Sequence, residues 1–291
     1  MTDRYHDAGR ALRQAWEISM SEIRVRCGYA DVEEGQVHYR RAGTGMQALV
    51  LLHPTPTSSR IYERALPHLG GDVTAIAFDT PGYGASTRLA GPPTVPGFAM
   101  RILKAIDTLG IDRFALCGFA TGSTVAVALA NRARDRVTHL ALSGVPYWEP
   151  HELEPFKTNL GPPEMGENGE HMTRIWQSLR NMAPTPDLRP QLHMAAVEAL
   201  RVYDNYLDAL VAVGNYDIRP ELAMVTCPMM FLSAEGDKLS EFTARAAKAL
   251  PHIPYVKLHG IRSQLPWTEP ALFADHLLRF IGARAEARVS A

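Results

Sequence analysis

Short apolar runs alternate with amphipathic stretches along this chain, in a rhythm that predicts strands and helices in turn. Gln36-Val37-His38-Tyr39-Arg40 alternates with a period of two, and Ala48-Leu49-Val50-Leu51-Leu52 is apolar throughout before stopping at His53-Pro54. An unbroken apolar run of that length fits a strand covered on both faces. Further strands are predicted over Val73 to Phe78, Phe114 to Cys117, Val137 to Leu142, Pro228 to Leu232 and Tyr255 to Leu258. Helices are predicted over Phe98 to Leu109, Thr121 to Ala133, Glu241 to Leu250 and Pro270 to Ile281. Such alternation implies an α/β fold with a mostly parallel sheet covered by helices on both faces.

Two stretches leave this rhythm. Residues Ala8 to Ile23 put Leu12, Ala15, Trp16, Met20 and Ile23 on one stripe, which predicts an amphipathic helix packing on the domain or on a second copy in a homodimer. Between Pro146 and about Met224, helical patterns are punctuated by Gly161-Pro162-Pro163, which predicts a helical cap inserted after the sixth strand. The expected organisation is an extension over 1–29, an α/β core over 30–145 and 225–291, and a cap over 146–224.

Composition narrows the partners. With 291 residues, 46% apolar and 21% charged, the chain can bury one large core. A net charge of −1 and no long Lys/Arg run remove the footprint that nucleic acid or an anionic membrane would need, leaving small-molecule or protein partners. No segment reaches the roughly 18 apolar residues of a membrane span, and the N-terminus lacks a signal pattern, so a cytoplasmic location is expected. Cys27, Cys117 and Cys227 lie far apart, which argues against a disulfide framework or a zinc site and suits buried core thiols. No metal-ligand spacing such as H-E-x-x-H occurs, and no metal or other cofactor is expected.

The chemistry sits at the ends of the predicted strands. Leu51-Leu52-His53-Pro54-Thr55-Pro56-Thr57-Ser58-Ser59 leaves the first buried strand, and Phe78-Asp79-Thr80-Pro81-Gly82-Tyr83-Gly84-Ala85-Ser86 leaves the next as a turn shaped by Pro and Gly. Leu116-Cys117-Gly118-Phe119-Ala120-Thr121-Gly122 has the two glycines of a tight strand-to-helix turn. Phe231-Leu232-Ser233-Ala234-Glu235-Gly236-Asp237 and Leu258-His259-Gly260-Ile261-Arg262-Ser263 follow the last two strands.

In this order the motifs resemble those of the α/β-hydrolase superfamily, closest in style to haloalkane dehalogenases and epoxide hydrolases, over nearly the whole chain after Val32. The resemblance implies that residues 53–59 are the oxyanion loop, with His53 bracing it, and that Asp237 is the family's acid. It also implies that Ala120 stands at the nucleophile position and Ser263 at the histidine position. Alanine carries no attacking atom, and a serine hydroxyl is far too weak a base near pH 7. The backbone N–H groups of Thr121 and Thr55 remain as an expected anion or carbonyl site, although Pro54 replaces a glycine of the family's loop and offers no N–H.

Other groups weigh less. His259 would be the base only if the loop shifted register, and Thr121 and Cys117 read as packing or capping residues. Trp148, Trp176, Tyr203 and Tyr206 would wall an aromatic pocket or form the cap's core. His151, His171, His193, Glu149, Glu198 and Asp204 are the cap's possible replacement acid–base groups, and base rates place each at the surface or at a helix cap. Two separate replacements, one to serine, read as natural divergence. The expectation is therefore a small-molecule enzyme working by lyase, isomerase, cyclase or water-mediated hydrolytic chemistry, with Asp237 as base or electrostatic group. The alternatives are a non-catalytic ligand-binding protein and an ester, epoxide or carbon–halogen hydrolase inactivated at Ala120.

Overall fold

The computed structural model describes residues 23–157, 164–180 and 188–284. Among them, eight strands form one sheet: β1 (Arg26–Val32), β2 (Gly35–Ala42), β3 (Ala48–Leu52), β4 (Thr74–Phe78), β5 (Phe114–Phe119), β6 (Val137–Ser143), β7 (Met229–Ala234) and β8 (Tyr255–Leu258). Their order is β1-β2-β4-β3-β5-β6-β7-β8. The pairs β1/β2 and β2/β4 are antiparallel, and every other pairing is parallel.

The apolar runs are apolar because both sheet faces are covered. Alternate side chains on a strand point to opposite faces. Val50, Leu52, Ile76 and Phe78 accordingly join one core with Phe98 and Ile102 of α2 (Val95–Thr108) and Val125 and Leu129 of α3 (Thr121–Arg132), after a short α1 (Leu66–Gly70). Leu49, Leu51, Ala75 and Ala77 face the other way, onto Leu66 and Leu69 of α1.

Among the described residues, five α-helices lie between β6 and β7: α4 (Pro150–Lys157), α5 (Glu170–Arg180), α6 (Arg189–Arg201), α7 (Asp208–Gly214) and α8 (Ile218–Ala223). Ile175 and Leu179 of α5 meet Leu192, Ala195 and Ala199 of α6 in a small core of their own, whereas Met194 of α6 joins the second core of the sheet. The chain closes with α9 (Ser240–Ala249), α10 (Leu265–Thr268) and α11 (Pro270–Phe280). Phe273 and Leu277 of α11 complete that second core.

Two expectations are adjusted, and a third falls outside the described residues. The start of α2 lies three residues before Phe98, because the Thr94 hydroxyl caps the Gly97 N–H and Pro96 occupies a first-turn position where its missing N–H costs nothing. Only Cys117 is a fully buried thiol: Cys227 is half-buried, and Cys27 is exposed on the sheet-edge strand β1, where the Arg40 guanidinium donates to its Sγ at 3.1 Å. The amphipathic helix predicted over Ala8 to Ile23 lies outside the described residues except for Ile23.

Candidate active site

The strand ends predicted to carry chemistry do converge, and the turn between β5 and α3 is the most constrained of them. Ala120 is held at φ 52°, ψ −116°, a left-handed conformation that side chains rarely adopt. What holds it there is close packing. A Cβ on Gly118 would stand 2.4 Å from the Gly122 carbonyl oxygen, and a Cβ on Gly122 would stand 2.3 Å from the Leu52 carbonyl oxygen. The Ala120 N–H donates to Ser143 O at 2.9 Å, and the Ser123 hydroxyl bonds Gly118 O at 2.9 Å. The elbow is therefore built, and a half-buried methyl group stands at its apex.

Residues 53–59 are anchored from below. His53 is fully buried. Its Nε2 must accept, because it faces the Thr80 N–H at 2.8 Å, so Nδ1 carries the proton and donates to Pro54 O at 2.9 Å. Burial lowers its pKa, in keeping with that neutral tautomer. Asp79 ties three stretches together: its carboxylate accepts the Ser59 N–H at 2.7 Å, the Ala85 N–H at 2.9 Å and His38 Nδ1–H at 2.8 Å. Burial alone would raise this carboxyl, but the hydrogen bonds from His38 and from Ser59 outweigh it and hold the group down at about 2. Asp79 thus braces the loop.

The expected pair of amide donors is arranged differently from the sequence reading. The Thr55 N–H donates to Thr121 Oγ1 at 2.8 Å, and the Thr55 hydroxyl donates to the same oxygen at 3.1 Å. Thr121 is buried, and its hydroxyl occupies the place on the Thr55 amide that a substrate oxygen would need. Its own N–H opens the twelve-residue α3.

Asp237 lies beside the elbow. Gly144, at φ 65° after β6, separates it from Phe119, since a Cβ there would be 3.2 Å from the Phe119 ring and 3.5 Å from Asp237 Oδ1. Oδ1 accepts the Leu239 N–H at 2.8 Å. Burial raises the Asp237 carboxyl, and that one hydrogen bond only partly offsets it. Ser263 sits on the neighbouring loop, which is stitched to the acid loop by Gly236 N–H to Ile261 O at 2.9 Å and Glu235 N–H to Leu258 O at 2.9 Å. The Thr268 hydroxyl donates to the Ser263 carbonyl at 3.0 Å. His259, the alternative base, is exposed and faces Glu235 at 3.3 Å.

The helices between β6 and β7 bring one polar group inward that base rates put at the surface. Glu198 of α6 is 5% exposed, with Arg60 Nη1 at 3.7 Å, and its charge reaches His53. The sequence signal was available in the spacing Gln191, Met194, Ala195, Glu198, one buried face of a helix. His151, His193 and Asp204 are exposed, and Glu149 pairs with Arg219 at 2.6 Å. The aromatic residues are not assembled into one wall. Trp148 packs edge-on against Phe242, Tyr203 against His171, Tyr206 on the core shared by α5 and α6, and Trp176 is exposed. Among the described residues no group of three or more His, Cys, Asp or Glu is placed to hold a metal ion, and no helix is long and apolar enough to cross a membrane.

Known proteins share this architecture. A solved enol-lactonase from Burkholderia xenovorans superposes with a TM-score of 0.75 at 22% identity, covering 88% of this chain and all of that one. The epoxide hydrolase CorEH superposes with a TM-score of 0.69 at 19% identity. At those identities the likeness speaks for the fold alone. In sequence, a 2-hydroxy-6-oxononadienedioate/2-hydroxy-6-oxononatrienedioate hydrolase of Paraburkholderia phymatum is 34% identical over 139 residues, 45% of this chain and 48% of that protein. Haloalkane dehalogenase 2 of Mycobacterium tuberculosis is 31% identical over 119 residues, 40% and 41% respectively. The matches thus span under half the length of these curated relatives. The model of the alpha/beta hydrolase fold family matches residues 47–276, well over half of the chain. With the sheet order, the elbow and the strand-end loops agreeing, the protein belongs to the alpha/beta hydrolase fold family.

Proposed function

We propose that this chain is an enzyme that hydrolyses a small carbonyl-bearing organic molecule through an activated water, without a covalent intermediate on the elbow. The observation that carries this reading is Ala120 itself: a strained turn, costing on the order of 1–3 kcal/mol, is held by Gly118, Gly122 and Ser143 although no nucleophilic atom stands on it. Hydrolase relatives support the reaction class.

In this reading Asp237 takes a proton from water, and the hydroxide adds to the carbonyl carbon. The oxyanion is held by the N–H of Thr121 at the start of α3. The adduct then expels its leaving group, which receives the proton from Asp237. A carboxyl raised by burial is the better base for this task, because its protonation lies nearer to neutrality. The helices of the 146–224 insertion would roof the substrate, with Glu198 above the oxyanion loop.

One observation favours a second reading, in which the protein binds a ligand without transforming it. The Thr121 hydroxyl already fills the Thr55 amide, so the oxyanion site offers fewer donors than the family's loop.

Mass spectrometry of a metabolite extract incubated with the protein and, in parallel, with Asp237→Asn decides between them. A compound consumed by the wild type and spared by the variant is the expected result. Compounds retained by both proteins and changed by neither would establish the binding reading. Recovery of ester, epoxide or carbon–halogen cleavage on changing Ala120 to Ser or Asp alone would instead mark an inactivated hydrolase.

A further inference from the structure

A cleft of about 780 Å³ opens along the edge of the sheet, where the start of β1 meets the end of β2. Ile23 and Gly70 line it and pack together, a Cβ on Gly70 standing 2.9 Å from Ile23 Cγ2. Two strands, β4 and β3, separate β2 from β5 and its elbow, so the cleft is distinct from the candidate active site. Its volume is that of sites that take a small organic molecule.

Arg24, Arg26 and Arg41 all line this cleft, together with Tyr39. Arg26 and Arg41 are partners in the antiparallel register of β1 and β2, so their side chains leave the sheet side by side. Like charges set directly opposite each other on such a pair are destabilising. Arg24, two residues before Arg26, brings a third guanidinium to the same wall. All three are exposed, and among the described residues none of them makes an ion pair or a side-chain hydrogen bond. By contrast, Arg101, Arg136 and Arg245 each meet a carboxylate, at 3.3, 2.6 and 2.5 Å. Three guanidinium groups without a counter-charge favour an anion. A single carboxylate carries one charge and is matched by one guanidinium fork, whereas a phosphoryl group brings up to two charges and three acceptor oxygens. Tyr39 adds a flat apolar wall. Its ring lies across Gly28, where a Cβ would stand 2.5 Å from the Tyr39 hydroxyl, and meets Phe78 edge-on with ring centres 5.9 Å apart.

We propose that this cleft binds a phosphorylated small molecule, with Arg26 and Arg41 on the phosphoryl oxygens, Arg24 adding to the positive wall and the ring of Tyr39 against the organic part. An anion between Arg26 and Arg41 replaces their repulsion by attraction, so the pair lowers the stability of the free protein and raises that of the complex. The site does not depend on the reaction at the elbow, and its test needs no turnover.

Three probes separate the contributions: inorganic phosphate, phenyl phosphate and phthalate, an aromatic dianion with two carboxylates, each titrated into the full chain by isothermal calorimetry at low salt. Phenyl phosphate is expected to bind saturably, about threefold or more tighter than either of the others, over phosphate through Tyr39 and over phthalate through its phosphoryl oxygens. Arg26→Gln and Arg41→Gln should each weaken it by about fivefold or more. Arg189→Gln, at an exposed arginine of α6, should leave it unchanged. In the free protein the first two variants should raise the thermal midpoint by about 1–2 °C, because the like-charge pair is gone, and phenyl phosphate should raise it further only in the wild type. Absence of saturable phenyl phosphate binding, or binding indifferent to both Arg26→Gln and Arg41→Gln, would overturn the site. Phthalate binding as tightly would overturn its preference for a phosphoryl group, and equal affinities of the two phosphates would overturn the role of Tyr39. A lowered midpoint in both free variants would mean that the fold already satisfies these arginines, which removes the reason for the anion.

Discussion

The loop after β3 and the loop after β8 lie at the same end of the sheet, yet they are held in opposite ways. Residues 53–59 are fastened from inside by His53, by the Asp79 carboxylate and by the Tyr62 hydroxyl on Leu52 O at 2.8 Å, all buried. Residues 259–263 are fastened from outside, by an exposed His259–Glu235 pair and by backbone bonds to an exposed acid loop. The first arrangement fixes a shape whatever chemistry passes above it. The second leaves position 263 free to change its side chain without disturbing the core. Bracing and the groups presented above it are thus separable in this fold.

The comparison can be broken most sharply with alanine at two glycines. Gly122→Ala drives a Cβ to 2.3 Å from the Leu52 carbonyl and Gly236→Ala to 1.8 Å from the Arg262 carbonyl, so the second clash is the closer one. The first is nonetheless expected to cost about 3 kcal/mol or more, because its surroundings are buried backbone that cannot give way. The second should cost less, about 2 kcal/mol, since the clash is with backbone but both loops are exposed and can shift. Urea unfolding midpoints measure both, and a reversed order would refute the distinction between inside and outside fastening.

Asp79→Asn comes next, with an expected loss of about 3 kcal/mol at neutral pH from the broken pair with His38 and the weakened amide contacts. A carboxyl depressed to about 2 from an ordinary 3.8 contributes stability that is present above the unfolded value and is lost as pH falls through the folded one. The wild type should therefore lose stability between about pH 4 and pH 2, and the variant should lack that part of the acid limb. Identical acid limbs would place the bracing elsewhere.

Ala120→Gly sharpens the account of the elbow. Glycine adopts φ 52° without a steric penalty, and the gain, less glycine's extra chain entropy, should raise stability by up to about 1 kcal/mol. A destabilised variant would mean that the Ala120 methyl packs more than it strains. The smallest effect is expected at His259→Ala, which removes one partner of an exposed ion pair and should leave the thermal midpoint unchanged.

The sheet was legible because its signals are local. A period of two, an unbroken apolar run and a Gly-x-x-x-Gly spacing each act within a few residues, and β3 and β8 fall where the pattern puts them. The tight turn at Ala120 follows from the same short motif. The α2 boundary was missed because Thr94, Pro96 and Gly97 read as a loop until the cap is seen.

What only the tertiary structure decided are meetings between residues distant in sequence. The 66-position separation of Thr55 and Thr121 hides the bond that turns an expected oxyanion donor inward. Glu198 looked like a surface carboxylate on α6 until Arg60 and His53 were found beneath it. Local patterning sets which surfaces a segment must bury. The partners it meets there are chosen by the topology of the sheet, which no single segment encodes.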